Sequence, residues 1–509
     1  MQEKICGYYL DREQEAIVLD ESKHLLVVAG AGSGKTLTIL GKINYLLKYK
    51  NINKNEILCI SFTKAAAHSL KEKIKDEFNL DLPVYTFHKL SLEILNDYSV
   101  NYDITQSDTL NNIIHKFIYI DVLENSKFMS LILKYFNIKY KNKKQYINFL
   151  YNNKFLIENY KRLILTFIKL LKCNNYELEN FTDFLKIAKK NIFTFKKEKI
   201  FLVISLNIYL IYTKYLEDNN EIDFDDMLII ATKLIEENGT DRKYKYIIID
   251  EYQDTSYIRF RLIERLLKFT SSNLLVVGDD FQSIYRFTGC DLSLFVNFNL
   301  FLKDSKIMKI QNTYRNSQEL ISIAGNFVMK NKIQIVKDLK SEKHLNNPIQ
   351  IIYYTNIKET FLKLILNLYQ KLKSSIMVLG RNNNDIDLIL DKRYFKYNND
   401  KIIFLDNPDI EIKYLTVHKS KGLEEENVVI INLENKLLGF PNQIVDSKVL
   451  RFVSYISDKY PYSEERRLFY VALTRTKNYV FLLVPKYNES IFVKEIRKNY
   501  KNKIKIYKC

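Results

Sequence analysis

The chain has no tryptophan, and its 509 residues include only 12 glycines, 6 prolines and 5 cysteines. The cysteines (Cys6, Cys59, Cys173, Cys290 and Cys509) are scattered, with no Cys-x-x-Cys spacing. That pattern argues against a zinc cluster and a disulfide framework, and suits a reducing compartment. No apolar stretch resembling a secretion signal follows Met1-Gln2-Glu3-Lys4. The longest apolar region, Phe201 to Tyr212, is broken by Ser205 and Asn207 and reads as too short to span a bilayer. A cytoplasmic location with no membrane partner is the expectation. No internal repeat of solenoid period is present. With glycine this scarce, each glycine tends to mark a motif.

What is there belongs to a globular protein. Apolar residues make up 47% and charged residues 27% of the chain, and its length suggests two to four domains. The net charge of +18 and the pI near 9.2 suit a polyanionic partner. Abundant Asn, Ile, Lys and Tyr would also follow from A/T-rich codons, so the charge supports a nucleic-acid reading without deciding it.

Short β-branched runs alternate with helix-period stretches, the signal of parallel α/β units. Expected strands are His24–Ala29, Glu56–Phe62, Val84–Thr86, Tyr246–Asp250 and Asn273–Gly278. A second set comprises Lys306–Ile310, Ile349–Tyr354, Ile376–Gly380, Lys413–Val417, Asn427–Leu433 and Tyr479–Val484. From about Leu95 to Glu221 the pattern is Leu/Ile/Phe/Tyr with Lys and Asn and without Gly or Pro, which predicts an all-helical insertion.

The anchor motif is Ala29-Gly30-Ala31-Gly32-Ser33-Gly34-Lys35-Thr36, directly after the apolar run Leu25–Val28. Its glycines let successive N–H groups turn onto phosphates at a helix start, with Lys35 on the β/γ oxygens and the Thr36 hydroxyl on Mg²⁺. Ala29 departs from the strict first glycine of the pattern. Tyr246–Ile249 ends abruptly in Asp250 and Glu251, a carboxylate pair suited to holding Mg²⁺ (Asp250) and polarising a water (Glu251). Gln253 and Asp254 follow in the next turn.

The run Leu275–Arg286 again ends a strand in polar residues. Gln282 there is placed to sense a γ-phosphate, and Tyr285 and Phe287 are able to stack on bases. Arg315 and Arg475 follow apolar segments in the second half, and a guanidinium fork suits transition-state charge on a phosphoryl group. In Thr416-Val417-His418-Lys419-Ser420-Lys421-Gly422-Leu423-Glu424, Thr416 and His418 suit a strand backbone, while Gly422 and Glu424 suit a nucleotide. His418 has no Cys/His neighbours at metal-ligand spacing.

In this order the motifs resemble UvrD/Rep-type superfamily 1 DNA helicases over nearly the whole chain. Gly439-Phe440-Pro441, Asp279–Gln282 and Tyr462–Tyr470 are most similar to the DNA helicase IV subgroup. The resemblance implies that Gln14, in Leu10-Asp11-Arg12-Glu13-Gln14, reads the adenine edge and that Tyr314 stacks on the base. It further implies strand contacts at Thr63, His88 and Arg381, and 3′→5′ travel. Two RecA-like domains are expected, residues 1–95 with 221–280, and 281–509, the first interrupted by a helical insertion at 96–220.

Only about 35 residues separate Arg381 from Thr416, where larger relatives insert a helical subdomain. A compact domain needs more than ~50 residues, so that subdomain is expected to be missing. Lys64 and Ala65 replace a usual Asn and Lys, Phe287 a usual Trp, and Glu425 a usual Phe. The expected activity is that of an Mg-ATP-dependent translocase or helicase. Its expected partners are single-stranded DNA or strand junctions, with repair or replication proteins, and the expected state is a monomer. The alternative is an ATPase that displaces a nucleic-acid enzyme such as RNA polymerase.

Overall fold

The β-branched runs assemble into two mainly parallel sheets. The computed structural model describes residues 4–372, 375–454, 458 and 460–508. The chain begins with β1 (His24–Ala29), β2 (Ile57–Ser61) and β3 (Val84–Thr86). A short pair, β4 (Asp103–Ile104) with β5 (Glu221–Ile222), ties together the two ends of the helical insertion. With β6 (Tyr246–Ile249), β7 (Asn273–Gly278) and β8 (Ser305–Ile310), the first sheet reads β3-β2-β6-β7-β1-β8, parallel throughout.

Both faces of this sheet are covered, which is why its central strands are almost continuously apolar. Leu26 and Val28 of β1 enter one core, while Leu25, Val27 and Ala29 enter the other. That is the period-2 alternation of a strand. The covering helices are α1 (Arg12–Leu19), α2 (Lys35–Lys48), α3 (Lys64–Phe78) and α4 (Phe87–Asp97), joined later by two more.

Six helices form the insertion: α5 (Thr109–Tyr119), α6 (Ser126–Tyr135), α7 (Lys143–Asn152), α8 (Lys154–Cys173), α9 (Asn180–Lys189) and α10 (Ile192–Asp218). At 27 residues α10 is long and apolar enough to cross a bilayer, against the expectation for this region. Its Phe201, Ile204, Ile208 and Tyr212 are instead committed to the core of the insertion. The chain then returns through α11 (Phe224–Asn238) and α12 (Tyr257–Thr270).

The second sheet comprises β9 (Ile349–Tyr354), β10 (Ile376–Gly380), β11 (Phe395–Asn398), β12 (Lys401–Phe404), β13 (Ile412–Thr416), β14 (Glu425–Ile430), β15 (Thr476–Pro485) and β16 (Ile504–Lys508). Its order is β11-β12-β13-β10-β14-β15-β9-β16, with β11, β12 and β13 antiparallel at one edge. Residues 381–416 hold a 3₁₀ turn (Asn383–Leu388), the β11–β12 hairpin and β13, and no α-helix.

One expectation is corrected. The sequence pattern puts a strand at Lys306–Ile310 in the second domain, with the boundary at residue 280. It pairs with β1 from His24 opposite Ser305 to Ala29 opposite Ile310, so the first lobe extends to residue 310. A half-buried edge strand carries no local signal of which sheet it joins; the crossover from β7 decides that. Covalently, the lobes are joined at residues 311–317.

Candidate nucleotide pocket and strand-contact face

Parallel strands direct their C-terminal loops to one edge of a sheet, the usual ligand edge. The loop after β1 turns through Gly32 (φ 71°) and Gly34 (φ 79°), a left-handed backbone that only glycine adopts without strain. A Cβ on Gly34 would lie 2.6 Å from Gln14 Nε2, and one on Gly32 would lie 2.5 Å from Arg315 Cβ. The loop is therefore backbone-lined, and α2 starts at Lys35 with its amide end facing the cavity.

β6 ends at Ile249, and Glu251 adopts the left-handed region (φ 53°, ψ 37°), a conformation costing about 1–3 kcal/mol for a non-glycine residue. The turn brings Glu251 Oε1 to 2.8 Å from Lys35 Nζ. Gln253 Nε2 donates to Glu251 Oε2 at 2.5 Å. Burial acts to raise the Glu251 pKa, but the charges of Lys35 and then Lys421 outweigh it and hold the group low. Asp250 is shifted upward by burial and by Glu251. At neutral pH both groups are carboxylates, Asp250 with its pKa raised to about 6 and Glu251 held ionised by its lysine neighbours.

The second lobe closes the other side. Arg475, between helix Ser463–Leu473 and β15, is 1% exposed. Its Nη2 donates to Gln282 Oε1 at 3.0 Å, its Nη1 to Leu423 O at 3.2 Å and its Nε to Val471 O at 3.0 Å. Burial, and then repulsion from Arg315, lowers its pKa to about 10, which leaves it cationic at neutral pH. Arg315 Nε donates to Glu424 Oε2 at 2.6 Å. Lys35, Thr36, Glu251, Gln282, Arg315 and Arg475 line one cavity of about 430 Å³. Tyr314, Gly422 and Glu424 share it.

The chemistry of this cavity fits a triphosphate: an amide-lined loop, a lysine and two arginines. The Thr36 hydroxyl and the Asp250 carboxylate are hard oxygen donors of the kind Mg²⁺ takes alongside waters and phosphates. Asp250 does not itself line the cavity, and its Oδ1 accepts from Glu251 N at 2.9 Å. Gln14 differs from expectation. It is 0% exposed, its Nε2 donates to Ser33 O at 3.2 Å, and its Oε1 accepts from Asp11 N at 3.0 Å. Its amide thus caps α1 and braces the phosphate loop rather than facing open space for a base edge. Tyr314 is exposed, and its hydroxyl donates to Asp11. Ala29 and Ala31 lie buried behind the loop, where Thr313 Oγ1 donates to Ala31 O. Gly30 packs on Leu339.

The candidate strand contacts lie at the ends of strands or in the segments that follow them, at the same edges of the sheets. Thr63 is exposed and caps α3, accepting from Ala66 N at 3.1 Å. His88, half-buried, meets Phe224 edge-on at 5.0 Å. From the second lobe, His418 joins Tyr285 and Phe287, with ring centroids 6.1 and 5.7 Å away. Phe287 is 59% exposed. Burial first, then neighbouring cations, lowers both histidines to about 4, so both are neutral at pH 7. Such a surface suits the faces of bases better than phosphates.

Thr416 is buried, accepting from Lys419 N at 3.4 Å. Arg381 has a partner within the second lobe. Its fork is closed on Glu465 at 3.0 and 2.7 Å, which braces the helix Ser463–Leu473.

Two family models match the chain: the UvrD/REP helicase N-terminal domain over residues 10–303, and the UvrD-like helicase C-terminal domain over residues 395–487. The chain belongs to the UvrD/REP helicase family. It is 28% identical to "DNA helicase IV" of Escherichia coli, over 96% of this chain and 70% of that protein. It is 30% identical to a "Probable DNA helicase II homolog" of Mycoplasma capricolum, over 65% of this chain and 42% of that protein. A "Probable DNA helicase" of Mycoplasma pneumoniae is 25% identical over 97% of this chain and 88% of its own length. Membership implies the use of a nucleotide and usually of Mg²⁺, in agreement with the donor set of the pocket.

In this UvrD/REP-family enzyme a chain of contacts links pocket and aromatic face, and sequence reading missed its central member. Gln282, which accepts from Arg475, also donates to Asp279 Oδ2 at 2.7 Å. Lys421 Nζ donates to Gln282 O at 2.8 Å and pairs with Asp254 at 2.5 Å. The same ammonium lies 4.9 Å from the Tyr285 ring centroid. The only signal in the sequence was its place beside Gly422. Lys343 and Lys477, which also line the cavity, had none.

Proposed function

We propose that the chain is an ATPase that moves along single-stranded DNA and separates strands at junctions with duplex, working as a monomer. Lys35 and Glu251 from one lobe meet Arg315 and Arg475 from the other around a single cavity, and that meeting supports the proposal. In this reading the moving bodies are the first lobe, to residue 310, carrying the insertion 96–220, and the second lobe beyond it. Travel in the 3′→5′ sense is what the family resemblance implies. Repair or replication proteins are the proposed partners.

Lys35 exchanges Glu251 for the β/γ oxygens of the nucleotide, which frees the carboxylate to take a proton from the attacking water. Thr36 and Asp250 would hold Mg²⁺, which neutralises phosphate charge. Arg315, held beside the phosphate loop, and Arg475, which approaches as the lobes close, stabilise the charge that develops on the transferred group. Gln282 feels this closure through Arg475 and passes it by way of Lys421 to Tyr285. A strand stacked on the aromatic face is thereby shifted once per cycle.

The test is ATPase rate against added single-stranded DNA, duplex, RNA and no polymer, at two salt concentrations. Strong stimulation by single-stranded DNA, weakening with salt, is expected. A rate that stays flat as oligonucleotide is added overturns the proposal. Phe287→Ala should weaken strand binding by about 1–3 kcal/mol, the worth of one stacked base, while the rate at saturating DNA is kept. The DNA concentration giving half-stimulation reads this directly; no change there removes Phe287 from the strand face.

A further inference from the structure

From Asn442 to Ser454 the second lobe sends a strap across to the helical insertion. The strap starts beside Arg381, where Asn442 N donates to Glu465 Oε2 at 2.9 Å. It next passes the aromatic loop, where Asp446 pairs with Arg286, the neighbour of Phe287. It then ends inside another body. Val449 and Phe452, in the 3₁₀ turn Lys448–Phe452, and Val453 are buried in the core of the insertion, with the Phe452 ring 5.8 Å from Phe184.

A charged fork completes the docking. Arg451 Nη1 and Nη2 each donate to a Glu198 oxygen of α10 at 2.7 Å, and the Glu198 side chain is 4% exposed. At the end of α8, Asn174 Nδ2 donates to Val453 O at 2.8 Å. The preceding residue, Cys173, packs so tightly on the aromatic loop that a Cβ on Gly289 would lie 2.5 Å from Cys173 Cβ. The aromatic loop is thus held by the insertion on one side and by the strap on the other.

We infer that the strap is a latch that encloses a single strand lying on Tyr285 and Phe287. This rests on the strand-motor reading above. A few apolar residues and two ion pairs make an interface small enough to open and close, as interfaces between domains of one chain commonly are. A strand without ends enters or leaves only when Arg451 parts from Glu198, Asp446 from Arg286 and Asn174 from Val453, and the three apolar residues lift out. The latch holds the enzyme on DNA through each cycle without touching the nucleotide.

The experiment measures dissociation from covalently closed circular single-stranded DNA, by stopped flow against a competitor trap. The full-length parent is compared with Arg451→Glu, Glu198→Arg and the double swap. Each single variant should leave the circle about tenfold faster, since the effects of weakening one contact fall mainly on the dissociation rate. Its ATPase at saturating DNA should match the parent, and the double swap should restore the parent lifetime. Parent-like dissociation of the single variants overturns the latch, and so does a swap that restores nothing. A parent that neither binds single-stranded DNA nor is stimulated by it instead removes the motor reading, and the latch with it.

Discussion

Replacing Glu251 with Gln will lower kcat for ATP hydrolysis by about 10²–10⁴-fold, the range for a lost general base, while nucleotide affinity stays close to that of the parent. The amide keeps the shape of the carboxylate and one of its oxygens, which serves Gln253 once Lys35 has moved to the nucleotide. What disappears is the negative charge that Lys35 and Lys421 preserve against burial. Lys35→Ala provides the contrast. It removes the ammonium beside the phosphate loop and leaves Glu251 without its 2.8 Å partner, so binding and turnover both fall. Single-turnover hydrolysis alongside equilibrium binding of a fluorescent nucleotide separates the two cases. If Glu251→Gln turns over at more than a tenth of the parent rate, Glu251 is not the base.

Arg315→Lys and Arg475→Lys should each reduce the hydrolysis rate by about 10³-fold or more, the worth of an arginine aimed at a transferring phosphoryl group. Lysine keeps the charge but not the planar fork. In Arg475 that fork holds Gln282, Leu423 and Val471 at once, and an ammonium on a shorter stem does not reproduce the set. Arg475→Lys should therefore also uncouple the aromatic face: residual hydrolysis should respond less to DNA than that of Arg315→Lys. ATPase rates with and without a saturating oligonucleotide give both numbers. If both variants stay within threefold of the parent, the second lobe takes no part in the chemistry.

The parts of this site that were legible in the sequence depend on the local backbone. A glycine-marked loop after an apolar run, and two acids ending another, state their conformation within eight residues, and Lys35 and Glu251 are found where those patterns put them. Arg315 and Arg475 carry no such mark, and only their order among the other motifs singled them out. The rest depends on partners distant in the chain. The contact of Arg381 with Glu465, 84 positions away, leaves no local mark. The bond from the Gln14 amide to Ser33 O, 19 positions on, leaves none either. The β11–β12 hairpin turns on Asn399 and Asp400, both at positive φ, a turn signal that was present but lay between strands too short to stand out.

The crossing between lobes has one further consequence. Tyr314 N donates to Gly32 O at 2.9 Å, so the connecting segment is pinned to the phosphate loop one residue before Arg315. Any swivel of the second sheet must pivot about that pin. Arg315 can tilt within the pocket but has almost no lever arm by which to withdraw. Arg475, carried by the body that swings, has no such tether to the loop. Of the two guanidinium groups, one is a resident of the pocket and the other a visitor.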